Sequence, residues 1–232
     1  MKNISKYDLS PEYPRIPHLS KDISKMTHDD IEVDKISLPI DGWVQEKIDG
    51  ANMGVSWLND GPVLRNRDHI LKKGYTKIKT PAKKQFVPAW NWIHKHEKDI
   101  KAVSELWESP ITIYGEWMVA SHSIHYDKLP DYFIAYDIWS IEDGKFLNPE
   151  IVESLLSQTN IKYIKPFKMT FATIDSIIKA SEMDSLYRNG KVEGIVIKTS
   201  SGYFVENMYK VVNKYFERRE DFNEKLIKNK IC

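Results

Sequence analysis

Residues 43–66 read WVQEKIDGANMGVSWLNDGPVLRN and carry the strongest structural signal in the chain. β-branched and aromatic residues recur along this stretch, which is typical of strands. The predicted strands cover 43–48, 51–57 and 62–65. Asp-Gly pairs at 49–50 and 60–61 lie between them as turn signals. The stretch therefore predicts an antiparallel meander.

Outside this stretch, helices and strands are predicted in an irregular order. The helices cover a short segment capped by Thr27, then about 88–108, 149–158, 173–187 and 215–229. The strands cover 111–118, 132–139, 192–198, 202–205 and 208–212. Because strands and helices do not alternate regularly, the order favours an α+β fold with largely antiparallel sheets over a doubly wound fold.

Composition excludes several classes of protein. The chain has 232 residues, of which 41% are hydrophobic, and 34 Lys plus Arg balance 33 Asp plus Glu, so it is a folded globular protein. Its single cysteine, Cys232, is the last residue, which excludes an internal disulfide, thiol catalysis and cysteine-based zinc sites. The sequence contains no run of about 18 apolar residues and no signal-peptide core, so we expect a cytoplasmic protein outside the membrane.

The sharpest candidate for chemistry is Lys47, within Glu46-Lys47-Ile48-Asp49-Gly50. A lysine at the end of a strand beside a tight turn can attack phosphorus when its surroundings keep the amine unprotonated. The same residues also fit an exposed lysine next to a hairpin turn. Taken alone, the pattern favours that second interpretation.

Five more short motifs follow in order, and they change the interpretation. They are Arg65-Asn66-Arg67, Tyr114-Gly115-Glu116, residues 133–138 (FIAYDI), residues 193–198 (EGIVIK) and residues 209–212 (YKVV). From about 43 to 214 the series resembles the covalent nucleotidyltransferase superfamily of ATP-dependent ligases and capping guanylyltransferases. The loop at 120–126 resembles small phage-type RNA ligases. Only the residues 215–232 follow Lys214, too few for the C-terminal oligonucleotide-binding barrel of other members.

The resemblance implies a single nucleotidyltransferase domain over 1–232, with a lead-in at 1–40 and a C-terminal helix within 215–232. It implies ATP and Mg²⁺ or Mn²⁺ as cofactors. Lys47 would form a phosphoramidate with AMP, Glu193 would act on the metal directly or through water, and Lys210 would meet the phosphates. These three are the predicted catalytic residues.

The remaining roles concern the nucleotide. Glu46 would hold the adenine edge, Glu116 with Arg65 (or, second, Arg67) would orient the ribose, and Lys198 would meet the phosphates. Tyr136 would stack on adenine, with Phe133 as the alternative. Positions 133 and 136 differ by an odd number, so only one of them can face the pocket.

One position departs from the family pattern. The last motif usually carries a second cation two residues after the first, and here that residue is Val212. Lys214 would face the same side as Lys210 if the strand continued, and it is the predicted substitute.

The resulting hypothesis is an ATP-dependent RNA ligase that adenylylates a 5′-phosphate end and seals it to a 3′-hydroxyl. Its partner is nucleic acid, and a separate enzyme is the candidate for healing the ends. The alternatives are a minimal DNA ligase, a capping-type guanylyltransferase and a catalytically inactive nucleic-acid-binding relative. Six lysines between Lys72 and Lys84, without an acidic residue, predict a docking patch for the 5′-phosphorylated strand; the alternative is a solvated loop.

Overall fold

The architecture was obtained from a computed structural model. It describes residues 10–20, 31–32, 36–58, 60–67, 69–71, 84–217 and 227–232. The short helix predicted after Thr27 and the lysines from Lys72 to Lys83 lie outside these residues.

The strands, in chain order, are β1 (Leu19–Ser20), β2 (Ile31–Glu32), β3 (Ile40–Lys47), β4 (Ala51–Leu58), β5 (Gly61–Asn66), β6 (Ile111–Trp117), β7 (Ala120–Ser121), β8 (Phe133–Ser140), β9 (Lys145–Phe146), β10 (Phe167–Phe171), β11 (Gly194–Ser201), β12 (Phe204–Val212) and β13 (Ile227–Lys228). The helices are α1 (Ala89–Lys95), α2 (Glu97–Trp107), α3 (Pro149–Leu156) and α4 (Ile174–Ala180). None of the described helices is long and apolar enough to cross a membrane.

Two antiparallel sheets organise the molecule. The five-stranded sheet has the order β5-β4-β6-β8-β9 and the four-stranded sheet the order β10-β3-β11-β12. Two smaller pairs, β1-β2 and β13-β7, complete the described strands. The predicted α+β class with largely antiparallel sheets is therefore confirmed.

The predicted meander is wrong, because the first of its three strands belongs to a different sheet. β4 and β5 form a hairpin in the five-stranded sheet, whereas β3 pairs with β10 and β11. The first Asp-Gly pair therefore marks a crossing between sheets. The Asp49 carboxylate accepts hydrogen bonds from the backbone N–H groups of Ser123 and Ile124, at 2.6 and 3.1 Å, and fixes the crossing to the loop after β7.

Helices α1, α2 and α3 cover the outer face of the five-stranded sheet and bury its apolar core. Ile93, Ile100 and Val103 contribute to that core and are fully buried. The single helix predicted over 88–108 is two helices, divided at His96. Its ring stacks on Trp92 with 4.1 Å between ring centroids. α3 begins as predicted, with the Asn148 side chain accepting from the backbone N–H of Glu150.

The C-terminal third needs four corrections. α4 ends at Ala180, well short of the predicted 187, and strand β10 was not predicted because most of its side chains are exposed and show no alternation. The strands predicted at 202–205 and 208–212 are one strand, β12. The predicted helix over 215–229 is wrong where the structure describes it. Tyr215 forms a turn with Lys214, and β13 near the other end pairs with β7. Residues 218–226 lie outside the described residues.

The crossing between the sheets leaves no room for a side chain at position 50. A Cβ on Gly50 would lie 2.6 Å from the Met118 sulfur and 2.9 Å from the carbonyl oxygen of Trp117. Its φ is outside the left-handed region, so crowding is the constraint. We expect Gly50→Ala to lower the free energy of unfolding by roughly 1–3 kcal/mol in urea denaturation. A gain of about 0.4–1 kcal/mol, the usual effect at an uncrowded glycine, would contradict this packing.

Candidate active site

A cavity of about 890 Å³ lies between the two sheets, and most of the predicted site residues line it. The predicted residues that line it are Glu46, Lys47, Arg67, Glu116, Tyr136, Glu193, Lys198 and Lys210. Arg65, Phe133 and Lys214 are not among the lining residues. Six separate segments of sequence therefore meet at one site.

Lys47 lies at the end of β3 and contacts the carboxylate of Glu193, the residue before β11. Its Nζ donates to both carboxylate oxygens of Glu193, each at 2.6 Å. The Lys47 side chain is 28% exposed, whereas that of Glu193 is 6% exposed. Gly194, next to Glu193, pairs with Lys47 in the register of β3 and β11. The pair is therefore set by the sheet itself and is accessible from the cavity.

Lys198 forms a second, fully buried ion pair. Its Nζ lies 2.6 Å from the Asp137 carboxylate, and the two side chains are 2% and 0% exposed. It also donates to the Gln45 side-chain oxygen at 2.6 Å and to the Tyr136 carbonyl at 3.1 Å. Burial lowers the pKa of Lys198, and the contact with Asp137 opposes this. Lys198 thus joins the four-stranded sheet to β8 at the cavity.

Tyr136 faces the cavity, whereas Phe133 lies in the apolar core against Trp92. The odd spacing therefore separates the two as predicted, and the structure gives the cavity face to Tyr136. A register shift in the β6-β8 pairing makes Tyr136 an extra residue: Tyr114 pairs with Asp137 and Gly115 with Ala135. This bulge explains why the consecutive residues Tyr136 and Asp137 lie on the same side of β8. Tyr136 lines the cavity, and the buried Asp137 contacts Tyr13 and Lys198, which line it as well.

Glu116 lies on β6 and accepts a hydrogen bond from the Gly50 backbone N–H at 3.1 Å. Burial raises the pKa of Glu116 to about 8; Lys47 opposes that rise, and the carboxylates of Glu193 and Asp49 add to it. At neutral pH this carboxyl is therefore largely protonated and can donate a hydrogen bond to a ligand.

Glu46 precedes Lys47 and also lines the cavity. Its carboxylate accepts from the Ser185 hydroxyl at 2.5 Å and from the Leu186 backbone N–H at 2.9 Å. Burial raises its pKa, and these two hydrogen bonds oppose the rise. The residues after α4 therefore fix the direction of this side chain.

The two candidate arginines separate clearly. Arg65 is buried at 5% exposure, and its guanidinium donates to the carbonyl oxygens of Ser10, Asn66 and Arg67. Arg67, just after the end of β5, lines the cavity. The geometry thus favours Arg67, the second choice from sequence, as the residue that reaches a ligand.

The expectation that Lys214 replaces a missing cation does not fit the structure. β12 ends at Val212, so strand alternation does not extend to position 214. Lys214 is exposed and lies 2.9 Å from the Glu182 carboxylate. Lys210 and Val212, by contrast, both line the cavity.

Several residues in or beside the cavity were not assigned to the site from sequence. Asn52 donates to the Tyr136 hydroxyl, and its own Oδ1 is buried without a hydrogen-bond partner among the described residues. Tyr126 accepts from the Asp49 backbone N–H at 3.0 Å. His122, in the loop at 120–126, lines the cavity and contacts Gln85 at 3.0 Å. Asn52 follows Lys47 by five positions, and its place on the next predicted strand was the available signal.

Solved structures of one RNA ligase share this fold. A lysine-to-alanine variant of Naegleria gruberi RNA ligase with ATP and Mn has a TM-score of 0.57 and 20% identity, and the match covers 75% of this chain and 50% of that one. The ligase with PPi gives 0.56 and 21%, and a glutamate-to-alanine variant with AMP and Mn gives 0.57 and 20%; both matches cover 75% of this chain and 49% of theirs. This chain spans about half the length of those ligases.

Comparison by sequence identifies the family. The family model for RNA ligase matches residues 41–215, most of the chain. The chain therefore belongs to the RNA ligase family, as the order of its motifs suggested. No curated protein matches it in a sequence search.

The raised pKa of Glu116 predicts a pH-dependent stability. Between pH 4.5, its ordinary pKa, and about 8, the folded protein holds a proton that the unfolded chain has lost, so this carboxyl makes stability fall as pH rises. Glu116→Gln can keep the acceptor for Gly50 and removes the ionisation. We expect its melting temperature relative to wild type to increase between pH 5 and pH 8.5. Glu105→Gln, on the exposed face of α2, controls for the lost charge. A constant difference across this range would contradict the assignment.

Proposed function

We propose that the chain is an ATP-dependent RNA ligase that adenylylates itself on Lys47, passes AMP to a 5′-phosphate end and joins that end to a 3′-hydroxyl. The observation that supports this most strongly is the Lys47 amine, held 2.6 Å from Glu193 in a cavity that also contains Tyr136, Arg67 and Lys210. These are a nucleophile, an aromatic surface and cations, which nucleotide transfer through a covalent intermediate needs.

The side chains that line the cavity offer a suitable contact for the adenine and the ribose of the nucleotide. Tyr136 offers its ring to adenine, and the unpartnered Oδ1 of Asn52 can accept from an amino or hydroxyl group of the nucleotide. Glu116 and Arg67 would hold the ribose, and Glu46 the adenine edge. Buried acceptors without a partner are costly, so a donor from the ligand would stabilise Asn52.

In the first step, Lys47 Nζ attacks the α-phosphorus of ATP. The new N–P bond forms as the bond from the α-phosphorus to the oxygen bridging to the β-phosphorus breaks, and pyrophosphate leaves. Glu193 would accept the proton that the amine gives up, because the Lys47 amine already donates to its carboxylate. Lys210 would stabilise the negative charge on the phosphates, whereas the charge of Lys198, predicted from sequence to meet them, is balanced by Asp137.

Two further steps return the enzyme to its starting state. An oxygen of the RNA 5′-phosphate attacks the adenylyl phosphorus, and the N–P bond to Lys47 breaks. The 3′-hydroxyl then attacks the 5′-phosphorus of the activated strand, and AMP leaves. The same lysine is thereby both the nucleophile and the leaving group.

A divalent cation fits the donor set. Carboxylate oxygens are the ligands that Mg²⁺ and Mn²⁺ prefer, and Glu193 is the residue that would hold the ion together with the ATP phosphates. When bound, the cation supplies charge neutralisation at the phosphates. The Naegleria ligase structures contain ATP or AMP with Mn, which supports this choice of cofactors.

Nucleic acid ends are the proposed partners, with RNA favoured over DNA because of the family. A cytoplasmic location and a separate end-healing enzyme remain part of the proposal. A minimal DNA ligase is the second candidate. The substitution of a cation by Val212 is the single feature that favours an inactive nucleic-acid-binding relative.

The intermediate can be tested by labelling. ATP carrying a radioactive α-phosphate, with Mg²⁺ or Mn²⁺, should label the denatured protein, GTP should not, and pyrophosphate should remove the label. Lys47→Arg is the critical variant, because arginine keeps the charge opposite Glu193 but stays protonated and cannot attack phosphorus. It should melt like wild type and carry no label.

Lys168→Ala is the matched control, because Lys168 is an exposed lysine of β10 outside the cavity. It should label normally. A label that persists in Lys47→Arg would refute Lys47 as the nucleophile. A folded wild-type protein that binds ATP but is never labelled would refute the ligase mechanism.

A further inference from the structure

The part of the cavity around Lys210 contains fewer lysines than the family resemblance implies. Lys210 lines the cavity, but position 212 is a valine and Lys214 is paired with Glu182 outside it. Lys47 and Lys198 line the cavity as well, yet each lies 2.6 Å from a carboxylate, so the protein already balances their charges. A bound triphosphate would therefore need a further cation in this part of the cavity.

Residues 13–18, which we call the strap, run along the side of the cavity and precede the part of the chain that matches the family model. At its C-terminal end the strap adds to the edge of β12. The Lys210 backbone N–H donates to the Pro17 carbonyl at 2.9 Å, and the Val212 backbone N–H donates to His18 Nε2 at 3.4 Å. The strap is thereby attached beside the position where the cation is missing.

The other end of the strap is anchored at the aromatic side of the cavity. Tyr13 is 6% exposed and donates from its hydroxyl to the Asp137 carboxylate at 2.6 Å. Its ring lies edge-on to Tyr136, with 5.3 Å between centroids. The strap therefore extends from Tyr136, the proposed adenine site, to Lys210.

Arg15 lies between these two anchors and lines the cavity. A guanidinium matches phosphate oxygens with two parallel hydrogen bonds, and its charge persists at any physiological pH. His18 cannot take this role while its Nε2 accepts from Val212, because that nitrogen is then unprotonated.

We propose that Arg15 binds the β- and γ-phosphates of ATP and supplies the cation that β12 lacks at Val212. The proposal rests on the ligase function proposed above. When Lys47 forms its bond to the α-phosphorus, Arg15 and Lys210 stabilise the negative charge that develops on the departing pyrophosphate. Arg15 therefore acts in self-adenylylation and has no part in sealing a strand that is already adenylylated.

Binding provides the first test. Affinities for ATP and AMP are measured by calorimetry in the unreactive Lys47→Arg protein, with and without Arg15→Ala. We expect Arg15→Ala to weaken ATP binding about tenfold or more and to change AMP binding by less than about twofold, because AMP lacks the phosphates that Arg15 contacts. Lys168→Ala, which removes an exposed cation outside the cavity, should change neither.

Kinetics provide the second test, in the protein with Lys47 intact. Arg15→Ala should slow self-adenylylation on the order of a hundredfold. Arg15→Lys should restore part of that rate, because it returns the charge without the fork of donors. Sealing of a chemically pre-adenylylated RNA strand should stay within about twofold, because that step involves no triphosphate. Since Arg15 is exposed, thermal melting should be unchanged.

Three results would overturn the proposal: unchanged ATP binding, equal losses for ATP and AMP, or an equal loss in sealing of the pre-adenylylated strand. The last would assign Arg15 to the RNA 5′-phosphate. A wild-type protein that binds ATP without becoming labelled would refute the ligase mechanism alone, and the ATP and AMP affinities would still decide the place of Arg15.

Discussion

The contact between Lys198 and Asp137 holds the two sheets together at the cavity. Burying two charges is costly unless their remaining hydrogen bonds are made, and here they are: Lys198 also donates to Gln45 and Tyr136, while Asp137 also accepts from Tyr13. Because all of these contacts must be made at once, they fix the distance between β8 and β11. They also make use of the bulge in β8, without which Asp137 would not share a side with Tyr136.

The crossing at residues 48–50 has an equally direct effect on the site. Because β3 and β4 belong to different sheets, Lys47 and Asn52 approach the cavity from opposite sides although five positions separate them. Gly50 allows the crossing by its lack of a side chain, and Asp49 holds it to the loop that carries His122. A continuous hairpin at this place would have put Lys47 and Asn52 in one sheet, with no cavity between them.

Sequence analysis led to residues that line the cavity where local rules decide their position. Strand alternation separated Tyr136 from Phe133, and the order of short motifs led to the family. It failed where a contact from distant sequence decided the outcome. Arg65 was preferred over Arg67, yet its guanidinium is taken by the Ser10 carbonyl, 55 positions away. The Asp-Gly signal at 49–50 correctly predicted that the chain turns there. It could not indicate that the next strand belongs to a different sheet.

The same limit explains the errors near the ends of the chain. The first forty residues carry prolines and little periodicity, so nothing indicated that residues 13–16 and His18 would line the cavity. Lys214 was assigned by extending a strand, and the strand ends two residues earlier. The charged C-terminal segment suggested a helix, whereas its described end pairs with β7, and Asn229 there bonds to the Met118 and Ala120 carbonyls.

The central claim is that this cavity directs one particular lysine amine to phosphorus. Peptide mapping by mass spectrometry, after incubation with ATP and Mg²⁺ and under conditions that preserve phosphoramidates, tests it most directly. The account predicts a single adenylyl group, on the peptide that contains Lys47. An adenylyl group on Lys198 or Lys210 instead, or spread over several lysines, would contradict it.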